Sequence, residues 1–259
     1  MLPVCYDPYV GTLGRFSREE IFELVARAGY DGINVPVKEA FLGKLSSEGI
    51  DEVRGLAERH NLQVPTVGFG WHIATDPKLR SEALKHFELV LEAALKLNAG
   101  IIGIWPNQPK GVSKEEALET LKANLSEMIP AADEHGVKIA LEFEKGCPLD
   151  NYREGIEFIR STDPRLKLTC DTYHLFNDRA DPYRAVLAMG DMLGDVHVSG
   201  SHRGEPGTGE FDFDSFAKGL REIGFRGPLV VQYRLEDVSS VERSCRFTRR
   251  LREMILGSV

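Results

Sequence analysis

Residues 195–213 read DVHVSGSHRGEPGTGEFDF, a short apolar strand pattern that runs into a loop rich in glycine and polar side chains. Val196 and Val198 flank His197, and the apolar run stops at Ser199, which places His197 near the end of the predicted strand. A simple chain reversal does not need so many polar side chains and glycines. We therefore interpret this stretch as a buried strand followed by a functional loop that forms the floor of a site.

The same unit, a short apolar strand and then a segment with helical periodicity, recurs along the whole chain. Ser17 and Ser113, each followed three residues later by Glu, predict N-terminal helix caps, and Pro130 predicts a kink or a break in the helix after Ser113. The predicted strands are residues 4–6, 31–35, 63–69, 99–104, 138–143, 166–170, 192–198 and 229–232. Eight such units without a change of composition predict an α/β fold, a single (β/α)8 TIM barrel that forms one domain over residues 1–259.

Composition and simple motifs argue against several classes of partner and cofactor. The formal net charge of -8 offers no basic surface to nucleic acid or to an anionic membrane. The chain begins without a signal-peptide pattern and contains no run of about 18 apolar residues, so a soluble cytoplasmic protein is expected. Its four widely spaced cysteines suggest neither a disulfide framework nor a thiolate zinc site. Because Gly-x-Gly-x-x-Gly and P-loop motifs are also missing, a small-molecule substrate is favoured over a nucleotide cofactor.

Four neighbouring predicted strands each carry a polar side chain at the C-terminal end, where barrels of this kind place their chemistry. These residues are Glu142, Asp171, His197 and Gln232. Each has a structural explanation when taken alone, since a buried His is usually a hydrogen-bonded core residue and Asp171 could cap a helix. Together, two carboxylates, an imidazole and an amide favour a site for a divalent ion such as Mn, Co or Zn.

Aromatic and imidazole side chains follow the third and fourth predicted strands. Trp71 and His72 come after the third strand, and Trp105 follows the fourth. Such residues either form apolar walls of a pocket or pack at its rim, and the sequence favours neither interpretation.

These motifs make the chain similar to the xylose isomerase-like TIM barrel family, the sugar phosphate isomerase and epimerase group, and most of all to its ketose 3-epimerase branch. The resemblance covers the second half of the barrel, whereas the first half matches only in its rhythm of strands and helices. The motifs that carry it are Leu141-Glu142, Asp171-Thr172-Tyr173-His174, His197 with Arg203, Pro206-Gly207-Thr208-Gly209, and Gly227-Pro228.

The resemblance implies one divalent metal ion (Mn, Co, Zn or Mg) bound by Glu142, Asp171 and His197 together with a residue of strand eight. It also implies that Glu142 acts as a catalytic base, and that His174 and Arg203 hold substrate oxygens beside the metal. The chain departs from the family at the fourth ligand, where Gln232 replaces Glu. An amide can coordinate a metal through its oxygen but supplies neither charge nor basicity, so we expect weaker metal binding.

Three functions remain open on this resemblance. The first is a metal-dependent isomerase or epimerase that abstracts a proton next to a carbonyl of a ketose or related polyol, with Glu144, His72 or His202 as a second acid or base. The second is a one-base lyase or dehydratase on a keto-sugar or keto-inositol, similar to inosose dehydratase or to C-glycoside-cleaving relatives, in which His174 or His202 protonates the leaving group. The third is a barrel that binds sugar without catalysis.

The remaining expectations concern partners. A carbohydrate is the expected small-molecule substrate, with Glu144, His72, Trp105 and His202 as its contacts. Since the family often forms dimers or tetramers, the resemblance implies a homodimer or homotetramer. An abasic-site endonuclease on the same fold is disfavoured, because the acidic chain offers no track for phosphates.

Overall fold

The computed structural model describes residues 2–257, and these residues form one parallel β-barrel surrounded by helices. The strands are β1 (Val4–Tyr6), β2 (Gly32–Ile33 and Val35–Pro36), β3 (Thr66–Gly68), β4 (Ile101–Ile104), β5 (Lys138–Glu142), β6 (Lys167–Asp171), β7 (Leu193–Val198) and β8 (Leu229–Val231). The first segment of β2 pairs with β1 and the second pairs with β3, so the sheet closes at Asn34. The predicted (β/α)8 barrel is therefore confirmed.

Helices connect the strands around the outside of the barrel. Their bounds are α1 (Arg18–Arg27), α2 (Glu39–Leu42), α3 (Ser47–Arg59), α4 (Arg80–Lys96), α5 (Lys114–Glu134), α6 (Tyr152–Thr162), α7 (Thr172–Asn177), α8 (Pro182–Met189), α9 (Phe213–Glu222) and α10 (Ser240–Leu256). Short 3-10 turns at Pro77–Leu79 and Gly190–Met192 precede α4 and β7. Within residues 2–257, no helix is long and apolar enough to cross a membrane.

The predicted capping residues start their helices as expected. Ser17 accepts a hydrogen bond from the Glu20 backbone, and the Glu20 side chain accepts one from the Ser17 backbone, which completes the capping box of α1. Ser113 caps α5 in the same way through the Glu116 backbone N–H. α5 then continues through Pro130 without the break that this proline predicts.

The strands are short and almost completely buried, as expected for a parallel sheet covered by helices. All three residues of β1 and all three of β8 are buried. The strand register brings residues near the C-terminal ends of neighbouring strands side by side, for example Asp171 of β6 and His197 of β7. The C-terminal ends of the strands therefore form one rim, and side chains at that rim converge.

Candidate active site

A cavity of about 660 Å³ opens at the C-terminal rim of the barrel. Ligand pockets for small molecules have volumes of this order. Every strand, or the residue directly after it, contributes to the cavity wall: Asp7, Asn34, Thr66, Gly103, Glu142, Thr169, His197 and Gln232. The site therefore lies where the fold predicts it.

Three of the four predicted metal ligands lie together at the rim, and two of them, Glu142 and His197, line the cavity. Glu142 ends β5, Asp171 ends β6 and His197 is the next-to-last residue of β7. Each offers one ligand atom, and the three atoms lie within 4.8 Å of one another. The strand register places Asp171 beside His197, and Glu142 one side-chain step deeper, beside Thr169 on the same face of β6 as Asp171.

Two atoms of this cluster have no partner among residues 2–257. Glu142 Oε1 and His197 Nδ1 are buried without a hydrogen bond, although they lie only 3.5 Å apart. Buried polar atoms are rarely left unpaired, so such a pair points to a missing third group. A carboxylate oxygen and an imidazole nitrogen facing one point fit a divalent cation, and the donor set therefore suits the implied metal.

His197 is held between two carboxylates. Its Nε2 lies 3.5 Å from Asp195 Oδ2, on the side of the ring away from Glu142. Asp195 is buried and also accepts a hydrogen bond of 2.7 Å from the Thr169 hydroxyl. Burial lowers the pKa of His197, but the Glu142 and Asp195 carboxylates outweigh burial and raise this pKa well above its usual value.

A chain of polar contacts connects the predicted catalytic residues. His174 Nε2 lies 3.4 Å from Glu142 Oε1 and 3.4 Å from Arg203 Nη2, and Arg203 pairs with Asp171. Burial raises the pKa of Glu142, yet His197 and His174 together hold this pKa well below its ordinary value. Burial lowers the pKa of His174, but Asp171 and Glu142 raise it overall. Glu142 is thus ionised at neutral pH, beside imidazoles that favour their charged form.

Asp171 has a structural role in addition to its place in the cluster. Its Oδ1 accepts a hydrogen bond of 2.8 Å from the Tyr173 backbone, which caps α7. Its other oxygen, Oδ2, faces Arg203. The cap and the site are therefore built from one carboxylate, because α7 begins directly at the end of β6.

The loop after β7 presents Arg203 from a constrained backbone. Arg203 has φ +58°, a conformation that non-glycine residues rarely adopt. Its backbone N–H donates a hydrogen bond to the Gly200 carbonyl, and its carbonyl accepts one from the Arg234 backbone N–H. Its guanidinium lies over the rings of Tyr9 and Tyr173, at 5.3 Å and 5.0 Å from their centres. Backbone bonds and aromatic rings thus aim this cation into the cavity.

The predicted substrate contacts all line the cavity. Glu144 lies 3.8 Å from His174, while His72 packs edge-on against Trp105 with ring centres 4.6 Å apart. His202 lies on the exposed part of the loop after β7. Their roles toward a substrate remain predictions, as does metal ligation by Gln232, which follows β8 directly and lines the same cavity.

The sequence prediction missed the polar groups that follow β1 and β2. Asp7 lines the cavity and is only 6% exposed, and Asn34 and Lys38 lie beside it. Burial raises the pKa of Asp7, and His197, Asn34, Lys38 and Gln232 reduce this effect. The sequence feature that could have indicated Asp7 is its position directly after the apolar run Val4-Cys5-Tyr6.

Comparisons with known proteins agree with this architecture. A family model described as "Xylose isomerase-like TIM barrel" matches residues 22–251. An L-ribulose 3-epimerase from Methylomonas sp. (strain DH-1) is 30% identical over 220 residues, which cover 80% of this chain and 75% of the relative. A ketose 3-epimerase from Arthrobacter globiformis is 27% identical over 236 residues, covering 85% and 79% of the two chains.

The fold also matches solved structures. A D-psicose 3-epimerase from Clostridium cellulolyticum H10, solved with D-tagatose, superposes with a TM-score of 0.83. The superposition covers 98% of this chain and 99% of the other, at 20% sequence identity. At this identity the likeness concerns the barrel alone.

Proposed function

The chain belongs to the xylose isomerase-like TIM barrel family and is an enzyme of the isomerase/epimerase type, and from this membership we propose that it is a divalent-metal-dependent epimerase of a ketose or related polyol. The observation that carries this proposal is the buried cluster of Glu142, Asp171 and His197, with two unpaired ligand atoms, beside His174 and Arg203. The relatives reported above are epimerases and give the lyase alternative no support.

Glu142, Asp171 and His197 are the residues that hold the metal in this proposal. Their ligand atoms lie close enough together to share one ion. The chemistry that such an ion supplies is polarisation of a substrate carbonyl, which acidifies the neighbouring C–H bond. A neutral imidazole and two carboxylates are ordinary ligands for Mn, Co or Zn.

Glu142 removes the proton next to the carbonyl. It is buried at the floor of the cavity and ionised at neutral pH, since its histidine neighbours depress its pKa. A buried carboxylate at hydrogen-bonding distance from the substrate is a competent general base.

His174 and Arg203 bind the substrate oxygens on which negative charge develops. His174 is buried and Arg203 is half-buried; His174 Nε2 and Arg203 Nη2 lie 3.4 Å apart, and both side chains can carry positive charge at neutral pH. Preorganised donors aimed at a developing oxyanion stabilise the transition state more than the ground state. The two side chains thus favour the enediolate that forms when the C–H bond breaks.

Solvent deuterium exchange tests this function. The metal-loaded protein is incubated in deuterium oxide with D-fructose, D-psicose, D-tagatose or L-ribulose, and the products are followed by proton NMR. We expect deuterium next to the carbonyl together with formation of an epimer. Glu142→Gln should lower turnover by about 100-fold or more, whereas Glu157→Gln, an exposed carboxylate on α6, should not. Absence of exchange with all four sugars would contradict the proposal.

A further inference from the structure

Asp7 and Glu142 lie on opposite sides of the cavity. Around the closed barrel, β1 is separated from β5 by β2, β3 and β4 in one direction and by β6, β7 and β8 in the other. Glu142 is the last residue of β5, and Asp7 directly follows β1. Both carboxylates line the same cavity, so a sugar bound there lies between them.

The surroundings of Asp7 hold its carboxylate in place without neutralising it. Its backbone N–H donates a bond of 2.9 Å to Val231 of β8, which fixes the chain at the rim. The side-chain amide of Asn34 donates a hydrogen bond to Asp7 Oδ2. The Thr66 hydroxyl in turn donates a hydrogen bond of 2.8 Å to Asn34 Oδ1. Among residues 2–257, no Lys, Arg or His lies within ion-pair distance of Asp7.

Inversion at carbon needs a group at this place. When one base removes a proton and returns it from the same side, the original configuration is restored. Epimerisation therefore requires a proton donor on the opposite face of the substrate. Asp171 lies on β6 and Glu144 just after β5, on the Glu142 side of the barrel. Asp195 lies midway around the barrel on β7, where it faces His197 and accepts a hydrogen bond from Thr169.

We propose that Asp7 is the second acid/base of the reaction, the group that protonates the substrate on the face opposite Glu142. This inference rests on the epimerase function proposed above. In one direction, Glu142 takes the proton from the carbon next to the carbonyl. The electron pair of the broken C–H bond passes into an enediolate. Asp7 then gives its carboxyl proton to the same carbon from the other side. The two residues return to their starting states by exchanging protons with water.

The neighbours of Asp7 account for its orientation toward the cavity. The Asn34 side-chain amide donates a hydrogen bond to Oδ2, and the Gln232 side chain lines the same part of the cavity. Glutamine suits position 232 in this arrangement, because a second carboxylate there would repel Asp7. Asn34, Gln232 and Asp7 thus form one polar unit at the junction of β8, β1 and β2.

The test follows deuterium incorporation separately for the two members of an epimer pair, D-fructose and D-psicose. Wild-type protein should exchange the C3 proton of both sugars and interconvert them. For Asp7→Asn we expect interconversion to fall by about 100-fold or more. One sugar of the pair should keep its C3 exchange, because Glu142 still acts on it, while the other loses exchange.

Controls separate this result from damage to the fold. Asp178→Asn removes a half-buried carboxyl outside the cavity and should leave both exchange rates unchanged. Asp7→Ser should also lose C3 exchange for only one sugar of the pair. Melting temperature and metal content are measured for each variant. Interconversion by Asp7→Asn at the wild-type rate, or equal loss of exchange from both sugars at full metal content, would overturn the assignment of Asp7. Failure of the wild type with both sugars and with D-tagatose and L-ribulose would instead overturn the epimerase function and this inference with it.

Discussion

The orientation of His197 depends on Asp195, which lies two residues earlier on β7. The two side chains meet at 3.5 Å, and the Thr169 hydroxyl holds Asp195 from β6. A carboxylate on one ring nitrogen keeps a proton there and leaves the other nitrogen free to bind a metal. Nδ1 of His197, which faces Glu142, is that free nitrogen.

Asp195→Asn tests this arrangement at the level of one atom pair. We expect affinity for Mn²⁺ to fall by about 10–100-fold, because the ring loses the acceptor that fixes its tautomer. Calorimetric titration of the metal-depleted protein measures the change. Asp191→Asn, an exposed substitution just before β7, serves as the matched control. Equal affinities for Asp195→Asn and wild type would show that Asp195 does not orient the ring.

Residues at strand ends were predictable, and residues whose role depends on distant partners were not. Glu142, Asp171 and His197 stand out because each is a polar residue at or near the end of an apolar run, and the structure brings them together. Asp7 follows a strand of only three residues, and its contact with Gln232 joins positions 225 residues apart. Sequence periodicity carries no information about such a contact.

At the scale of elements, the loop between β7 and α9 is shaped by its glycines. Gly209 has φ +82°, and a Cβ atom there would lie 1.9 Å from the Ser201 hydroxyl. That hydroxyl accepts a hydrogen bond of 2.9 Å from the Glu210 backbone. The missing side chain therefore lets the two ends of the loop meet and fixes the position of Arg203 between them.

Gly209→Ala should disturb this loop more than it disturbs the barrel. We expect kcat/KM to fall by about tenfold or more, since small displacements of a positioning group are costly to catalysis. Gly204→Ala in the same loop is the matched control, because its Cβ would make only an ordinary contact, 3.6 Å from Thr208. Steady-state kinetics measure kcat/KM for both variants. Equal kcat/KM values for Gly209→Ala and Gly204→Ala would show that the close approach at Gly209 does not position Arg203.

The strands matched their predictions more closely than the shortest helices. Each predicted strand overlaps an observed one. The one-turn helix α2 and the short α7 were missed, because four or six residues hold too little periodicity to detect. α5 runs through Pro130 because that residue lies in the exposed C-terminal part of the helix, where one lost hydrogen bond is tolerated.

At the scale of the whole molecule, Asp31 ties together the first strands and the last helix. Its carboxylate accepts a hydrogen bond of 2.9 Å from the Val4 backbone N–H. The same carboxylate forms ion pairs with Arg249 and Arg252 of α10, at 2.7 Å and 2.9 Å. The cluster lies at the N-terminal end of the barrel, away from the cavity. It joins segments more than 200 residues apart, which places it among the contacts that close the barrel.

Asp31→Ala should therefore destabilise the protein without affecting the site. We expect the free energy of unfolding to fall by about 1–3 kcal/mol, because two arginines and a backbone N–H lose their acceptor. Urea denaturation measures this change. Glu52→Ala, which removes an exposed ion pair with Arg18, should cost only about 0–1 kcal/mol. Equal stabilities of the two variants would contradict a closing role for Asp31.

The cavity wall has a consequence for how this barrel can diversify. The three clustered residues come from β5 to β7, whereas Asp7 follows β1, Asn34 lies within β2 and His72 follows β3. The two halves of the chain thus line opposite sides of one cavity. A chimaera that exchanges the first half for that of another barrel would keep the cluster of Glu142, Asp171 and His197 but lose Asp7, and with it the proposed second acid/base.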